Sequence, residues 1–339
     1  MTPLPWHREA LAQLLAGRER MPHALLVHGP TGIGKVLFGR ALAAAVLCEM
    51  PQAQGACGTC PSCHWFSQGN HPDFREILPE AAAEDEAGEA EGEGAKAEKA
   101  KSLVIKIDQV RAVGDFIALS THRGGHRILL LHPAEAMQPA SANALLKTLE
   151  EPPPQTLIVL VSDRPARLLP TIVSRCRRLA LRIPARADAL AWLRKEGVER
   201  PEAALDAAGG APLLARDLAA PEESELRRRL VAELSKPGGA DVLLFAGSVD
   251  RTNLERAIWW MQTRVHDLVR ARLAGDVRHH GEHAGALQAR ARAADLPALL
   301  DLERELAEAR RLASHPLNPR LLTEHLLLAY NRAVTGAAR

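Results

Sequence analysis

The strongest constraint on the fold is an apolar run that leads into a glycine-rich loop and then into a helix. Residues 23–29 are HALLVHG, the loop is GPTGIGK at 29–35, and KVLFGRALAAAVLC follows at 35–48. This pattern predicts a buried strand, a tight loop and a helix, in the order of a phosphate-binding loop. In such loops, backbone N–H groups at the helix N-terminus point towards phosphate oxygens. The candidate nucleotide-binding residues are Gly29, Gly32, Gly34 and Lys35.

The loop departs from the motif G-x-x-x-x-G-K-[ST] at its last position, where Val36 replaces the hydroxyl residue that ligates Mg²⁺. A second ligand, an Asp, is expected at the end of a buried strand. The strand RILLL ends instead in His132 and Pro133, and Glu135 is too far along the chain to replace the Asp. Mg²⁺ prefers hard oxygen ligands. We therefore expect no ATP hydrolysis by this chain alone, and the sequence leaves open whether ATP or ADP binds.

Further apolar runs at 126–132 (HRILLLH) and 156–162 (TLIVLVS) have the character of buried strands. Between them, SANALLKTLEEPPP predicts a helix with Ser141 as its N-cap and three prolines as its end. Strands that alternate with helices favour a parallel α/β sheet covered on both faces. The glycine loop would then lie at the carboxyl end of a strand, where nucleotides bind in such folds.

From about residue 184 the chain loses its strand patterns, and apolar residues recur at three- and four-residue spacing, as in amphipathic helices. A turn is expected at DAAGGAP, residues 206–212. The fold class is thus α/β plus α. The predicted domains are an α/β domain at 1–183, a small helical domain at 184–221 and a helical domain at 222–339.

One segment, residues 80–101, contains eight acidic residues and three lysines but no aromatic or β-branched residue. It cannot bury enough apolar surface to offset the entropy lost on ordering, so we interpret it as a flexible acidic insertion. No run is long and apolar enough for a membrane helix, and the N-terminus lacks a signal-peptide pattern. The expected location is the cytoplasm, with no membrane partner.

Four of the five cysteines fall in one window with the spacing C-x8-C-x2-C-x2-C. Glycine and proline in CGTCPSC suit the tight turns that direct successive thiolates towards one ion. Four thiolates would complete a tetrahedral structural zinc site without an open catalytic position. An iron–sulfur cluster and reduced, unliganded thiols are the alternatives, and His64 and His71 are weaker candidate ligands. The candidate metal ligands are Cys48, Cys57, Cys60 and Cys63.

Residues 141–176, SANALLKTLEEPPPQTLIVLVSDRPARLLPTIVSRC, closely resemble the clamp-loader branch of the AAA+ ATPases. GNHPDF at 69–74, IKIDQVR at 105–111 and the LNPRLLTEHLLL ending also match that branch. The resemblance implies an AAA+ P-loop parallel-sheet domain with an inserted zinc module at 48–63, a small helical lid domain and a C-terminal helical collar domain.

Within this resemblance, Ser174-Arg175-Cys176 matches the family motif whose arginine reaches a neighbouring subunit's ATP. The permanent charge and planar fork of arginine match phosphate oxygens. Arg175 is thus expected to act in trans as an arginine finger, with Ser174 beside it in the motif.

The resemblance implies a stator subunit of the bacterial DNA polymerase III clamp loader, which helps to load the sliding clamp onto primed DNA. The implied partners are the motor subunits (gamma or tau), the delta subunit, primer–template DNA and the sliding clamp. Two alternatives are an active P-loop ATPase acting on DNA and a zinc-dependent DNA-binding module. The second has little support, since residues 48–75 contain Arg75 as their only Lys or Arg.

Overall fold

The computed structural model of the protein describes residues 2–80, 102–118, 121, 125–236, 240–313 and 317–335. The chain divides into two units, residues 1–188 and 189–339, each with its own dense internal packing. The predicted acidic insertion at 80–101 lies outside the described residues, apart from Glu80. The predicted three-domain division stays a prediction.

A single parallel sheet organises the first unit. Its five strands are arranged in the order β2-β3-β4-β1-β5. β3 and β4 are buried throughout, as is β1 up to its last residue, because helices cover them. The strands are β1 (Ala24–His28), β2 (Phe74–Ile77), β3 (Arg127–Leu131), β4 (Thr156–Ser162) and β5 (Arg177–Ala180).

Helices connect these strands, and the one after the glycine loop packs close to the sheet. A Cβ at Gly39 of that helix would lie 2.8 Å from Leu130 Cδ1, so any larger residue would force the Leu130 side chain to move. The helices are α1 (Arg8–Ala16), α2 (Lys35–Leu47), α3 (Pro61–Ser67), α4 (Ile107–Ala118), α5 (Pro139–Glu150) and α6 (Pro170–Arg175).

The strand–loop–helix and the parallel sheet predicted from the sequence are confirmed, but the predicted start of α5 is wrong. The helix begins at Pro139, whose fixed φ suits the first helical position. Ser141 lies inside the helix, where its buried Oγ donates a hydrogen bond to Ile105 O at 2.8 Å. The short strands β2 and β5 were not predicted from the sequence, because each includes charged residues and neither forms an apolar run.

Helices alone form the described part of the second unit, as the periodicity predicted. They pack around one apolar core that includes the fully buried Trp260 and Tyr330. Within the described residues, no helix is both long and apolar enough to cross a membrane. The helices are α7 (Arg186–Lys195), α8 (Pro201–Ala207), α9 (Pro212–Leu218), α10 (Pro221–Leu234), α11 (Val242–Ala246), α12 (Leu254–Leu273), α13 (Ala284–Ala293), α14 (Leu296–Leu312) and α15 (Pro319–Thr335).

A buried carboxylate fixes the segment that follows α12. Asp267 accepts hydrogen bonds from the backbone N–H groups of Arg278, His279 and His280 at 2.7, 3.0 and 2.8 Å, and from His280 Nδ1 at 2.9 Å. Burial alone would raise the pKa of Asp267, but these hydrogen bonds lower it to about 2. The carboxylate is therefore ionised and fully paired at neutral pH.

The packing of α2 on the sheet predicts a large stability difference between two leucines of that helix. Leu42 is completely buried, whereas Leu37 is 38% exposed. We expect Leu42→Ala to lower the free energy of unfolding by about 2–5 kcal/mol because it leaves a cavity. Leu37→Ala, the matched control, should change it by less than about 0.5 kcal/mol. Urea denaturation followed by circular dichroism measures both, and equal losses would contradict this packing.

Candidate functional site

The glycine loop adopts the backbone that its sequence requires. Gly29, Gly32 and Gly34 have φ angles of 155°, 77° and 89°, which side-chain-bearing residues rarely adopt. A Cβ at Gly29 would also lie 2.2 Å from Leu181 O. The loop joins the carboxyl end of β1 to Lys35, the first residue of α2. Its position is that of a phosphate-binding loop, although the nucleotide-binding role of these residues stays a prediction.

The chain's own carboxylate engages this loop. Asp163, directly after β4, lies with Oδ1 2.5 Å from Lys35 Nζ and accepts a hydrogen bond from Thr31 Oγ1 through Oδ2 at 2.8 Å. Lys35 Nζ also donates to Pro30 O, and its side chain is only 3% exposed. The ammonium group that would attract phosphate is therefore neutralised within the chain.

Glu135 holds the turn that carries this carboxylate. Its Oε1 accepts hydrogen bonds from the backbone N–H groups of Asp163 and Arg164 at 3.0 and 3.1 Å. The sequence predicts that Glu135 does not replace the missing Asp. In the structure its carboxylate instead positions the Asp163 backbone beside the loop.

An ion-pair network occupies the place where an active ATPase would have its second metal ligand. His132 Nε2 lies 2.7 Å from Glu76 Oε1, and Arg40 Nε donates to the same oxygen at 2.8 Å. Burial would raise the pKa of Glu76, but the hydrogen bond from His132 and the charge of Arg40 lower it overall. His132 and Val36 offer no oxygen ligand to Mg²⁺ from their side chains.

The four cysteines predicted as metal ligands converge on one point, with all four sulfur atoms within 4.8 Å of one another. Cys48 Sγ lies 3.9 Å from Cys60 Sγ, and Cys57 Sγ lies 3.9 Å from Cys63 Sγ. Tetrahedral zinc with Zn–S bonds of about 2.3 Å requires sulfur separations of about 3.8 Å. This set of sulfur atoms therefore fits a single metal ion.

Backbone N–H groups support the sulfur atoms. Cys57 N points to Cys48 Sγ at 3.3 Å, Cys60 N to Cys57 Sγ at 3.4 Å, and Cys63 N to Cys60 Sγ at 3.4 Å. Hydrogen bonds from Thr59 and Cys60 lower the pKa of the Cys57 thiol to about 6. Burial raises the pKa of Cys48, and it raises that of Cys63 to about 12. Hydrogen bonds of this kind orient metal-binding thiolates.

The two histidines considered as weaker ligands are not part of this cluster. His71 is buried, and its Nδ1 accepts a hydrogen bond from Asp73 N at 3.1 Å, so the ring proton is on Nε2. That Nε2–H donates to Ser62 Oγ at 2.8 Å, and Ser62 Oγ donates to Leu47 O at 2.6 Å. His71 therefore links the end of α2, which directly precedes Cys48, to α3, which contains Cys63. The set of close ligand atoms among the described residues does not include His64.

The predicted interface arginine lies at the end of α6, where its side chain is 35% exposed. One Arg175 Nη atom lies 2.6 Å from Glu150 Oε1, and the other donates to Thr171 O at 3.0 Å. Ser174 Oγ also donates to Thr171 O at 3.0 Å. Ser174 and Arg175 therefore share one anchor at the helix end, and the guanidinium is held by α5 and α6. Their catalytic role stays a prediction.

Two contacts of the site had no signal of their own in the sequence. Asp163 is an ordinary post-strand residue, and its link to Thr31 spans 132 positions of the chain. Glu150 is one of two adjacent glutamates, and only the packing of α6 against the end of α5 selects it. A sequence pattern predicts the Lys35 loop and Arg175, but it does not predict the acidic partner of either.

The sheet order, the glycine loop and the helix that follows define a P-loop protein of the AAA+ class. The chain belongs to the family described as "DNA polymerase III, delta subunit", whose sequence model matches residues 8–185. These residues include the loop, the cysteine cluster and Arg175.

Two relatives, both described as DNA polymerase III subunit delta', agree with this family. The chain is 40% identical to the DNA polymerase III subunit delta' of Pseudomonas aeruginosa over 236 residues. These residues make up 68% of this chain and 66% of the relative, so the match spans slightly less than two thirds of the relative's length. It is 31% identical to the subunit delta' of Yersinia pestis over 98% of this chain and 96% of the relative. A gamma-subunit-related protein of Thermotoga maritima has a TM-score of 0.43 and 20% identity, covering 95% of this chain and 99% of that chain.

The contact between Lys35 and Asp163 generates a prediction about nucleotide affinity. Asp163→Asn keeps the shape of the side chain but removes the negative charge that opposes phosphate. We therefore expect ATP to bind at least about tenfold more tightly, which corresponds to about 1.4 kcal/mol of binding free energy. Fluorescence titration with a labelled ATP analogue, with and without Mg²⁺, measures this change. Asp108→Asn, at an exposed position, is the matched control. Adding Lys35→Ala should abolish the gain, and an unchanged affinity in Asp163→Asn would contradict the prediction.

Proposed function

We propose that this chain is a non-hydrolysing stator subunit of a DNA polymerase III clamp loader. The observation that carries the proposal is the altered nucleotide site. Val36 replaces one Mg²⁺ ligand, His132 pairs with Glu76 where the other should lie, and Asp163 neutralises Lys35. Neither Val36 nor His132 supplies an oxygen ligand for the Mg²⁺ that neutralises charge during phosphoryl transfer, so we expect no hydrolysis at this site. A P-loop body that does not hydrolyse ATP is expected to act through its neighbours.

Arg175 is the group through which we propose that the chain contributes to catalysis. Its guanidinium is half-buried rather than enclosed, and its acidic partner Glu150 is itself 49% exposed. An exposed ion pair contributes about 0–1 kcal/mol, so a phosphate group can displace the carboxylate at little cost. An arginine that approaches the γ-phosphate of a neighbour's ATP stabilises transition-state charge and accelerates hydrolysis by about 10³–10⁵.

We propose that the metal ion at Cys48, Cys57, Cys60 and Cys63 is a structural zinc. Four sulfur ligands leave no position for water, which argues against metal catalysis. Zinc deprotonates the thiols that it binds, so it would hold Cys63 as a thiolate even though burial raises the pKa of this thiol to about 12. The role of this module is to fix the segment between α2 and β2.

The partners are inferred from the family. A relative with 31% identity over 163 residues is the tau subunit of Salmonella typhimurium, although the match covers only 22% of that protein. We propose that the chain assembles with gamma or tau motor subunits and a delta subunit, and that it acts with the sliding clamp and primer–template DNA. Residues 184–221 would then serve as the lid and 222–339 as the collar.

Steady-state ATP hydrolysis tests the proposal. We expect the purified chain, with Mg²⁺ and primed DNA, to show turnover no greater than its Lys35→Ala variant, because the metal ligands are missing. Turnover that disappears in Lys35→Ala would contradict the proposal and support an active ATPase.

The assembled complex tests Arg175. Reconstituted with its motor and delta subunits, the Arg175→Ala variant should lower kcat for ATP at the adjacent site by at least about 10³-fold. Arg167→Ala, a nearby arginine outside the motif, is the matched control. Size-exclusion chromatography confirms that assembly is intact, and an unchanged kcat in an intact complex would rule out the finger.

Removal of the metal tests the zinc module. We expect one zinc per chain by elemental analysis, and we expect Cys63→Ser to abolish it and destabilise the first unit, because a buried ligand is lost. Cys176→Ser, a buried cysteine outside the cluster, should retain the zinc. Iron in place of zinc, or no metal, would contradict the proposal.

A further inference from the structure

The parallel sheet of the first unit ends on one side in β5, and the outer side of this strand is open. β5 pairs with β1, and β1 and α6 are the main elements in contact with it. Arg177, Arg178 and Ala180 are exposed, and Leu179 is half-buried. In the described part of the chain, β5 therefore presents an edge that no other strand covers.

The register of β5 fixes which of its backbone groups point outward. Leu181 N donates a hydrogen bond to His28 O at 2.8 Å, and His28 lies opposite Ala180 in the ladder. In a parallel pair, alternate residues of a strand direct both backbone groups towards the same neighbour. Leu179 and Leu181 therefore face β1, whereas the N–H and C=O groups of Arg178 and Ala180 point away from the sheet.

These outward backbone groups form a short row of donors and acceptors. Among the residues that the structure describes, none donates to or accepts from the backbone of Arg178 or Ala180 on this side. An open strand edge is a template for pairing with another chain. Peptides bind in this way to several classes of protein, where main-chain hydrogen bonds give affinity and alternate side chains give specificity.

The segment that carries this edge is strongly basic. Residues 164–187 contain seven arginines and no acidic residue. The guanidinium groups of Arg177, Arg178 and Arg182 have no ion pair or hydrogen bond with the described residues. Arg178 also lies near the end of β1, where burial and then the charge of Arg178 lower the pKa of His28. Positive charge therefore borders the open edge without a contacting carboxylate in the described chain.

The opposite edge of the sheet differs in this respect. β2 also contains two charged residues, Arg75 and Glu76, but both have partners. Arg75 Cζ lies 4.8 Å from the Phe116 ring centroid, and Glu76 Oε1 lies 2.7 Å from His132 Nε2. Charged side chains on an edge strand protect it from aggregation, and such protection alone does not require a cluster of unpaired arginines. The β5 edge is thus suited to a partner that supplies the missing negative charge.

The side chains of β5 restrict the chemistry of that partner. Arg177 and Arg178 point to opposite faces of the sheet because successive residues of a strand alternate. Two adjacent acidic residues on an added strand would therefore meet one arginine on each face, and such cross-strand pairs of opposite charge are stabilising. A nucleic acid matches the charge, but it has no regular row of donors for the C=O groups of Arg178 and Ala180.

We propose that β5 is a docking edge for an extended, acidic peptide segment of a partner protein. The segment adds a strand beside β5 and pairs its backbone with Arg178 and Ala180. Its adjacent acidic side chains contact Arg177 and Arg178 on the two faces of the sheet. This docking edge does not depend on the clamp-loader function or on nucleotide binding at the glycine loop.

Fluorescence anisotropy with a labelled peptide tests the docking edge on the full chain. The probe is an octapeptide of valine and threonine with two adjacent glutamates at its centre, and the control peptide has lysines in their place. We expect saturable binding of the glutamate peptide alone, and we expect Arg178→Glu to weaken it at least about tenfold because like charges then face each other. Arg272→Glu, at an exposed position of the second unit, should bind like the parent. Absence of saturable binding, or equal binding of both peptides, would overturn the proposal.

Backbone substitution separates strand addition from simple attraction between charges. Ala180→Pro removes an outward N–H group, and proline is tolerated on the open side of an edge strand. It should weaken binding of the glutamate peptide at least about tenfold, since one main-chain hydrogen bond is lost and the ring blocks the approach. Unchanged binding in a folded Ala180→Pro variant would contradict strand addition.

Modified peptides give the same information without a change in the protein. Two versions of the glutamate peptide carry N-methyl groups at the odd or at the even positions, so that each version blocks one edge of the peptide strand. We expect one version to lose binding and the other to retain it, because only one edge pairs with β5. Two versions that behave alike would overturn the proposal.

Amide hydrogen exchange followed by NMR locates the added strand. Saturating glutamate peptide should slow exchange at Arg178 and Ala180 at least about tenfold, whereas Leu179, which already faces β1, should change little. Protection that does not alternate in this way would contradict pairing at the β5 edge. A single-stranded oligothymidylate that binds more tightly than the peptide would identify a nucleic-acid surface and overturn the proposal.

Discussion

The parallel pairing of β1 between β4 and β5 is the constraint on which the first unit depends. In this register His28 lies opposite Ser162 on one side and Ala180 on the other. The glycine loop therefore begins next to the turn that carries Asp163. Burial of β1 and β4 fixes the register between them, because any slip would move apolar side chains out of the core.

The same framework explains how Lys35 of the glycine loop is paired within the chain. Lys35 lies at the N-terminus of α2, where a buried ammonium group requires a counter-charge. Asp163 supplies it from within the chain, and Glu135 holds the Asp163 backbone in place. The loop is thus electrostatically complete by itself, which fits a subunit whose proposed contribution is made through Arg175 at the surface.

Patterns that are local in sequence were predictable. The loop and α2 followed from glycine spacing and an apolar run. The cysteine cluster followed from four cysteines in one window, since neighbours in sequence are also neighbours in space. The predicted N-cap at Ser141 failed because Pro139 begins the helix two residues earlier and Ser141 instead contacts Ile105. The edge strands β2 and β5 were missed because their charged residues conceal the pattern.

The sequence by itself determined the fold class, the glycine loop with Val36 at its end, the cysteine cluster and the family motif around Arg175. Only the tertiary structure decided what those residues contact. Asp163 reaches Thr31 across 132 positions, and Arg264 reaches Ser235 across 29. Such pairings depend on how distant helices and strands pack, so they form only once that packing is complete.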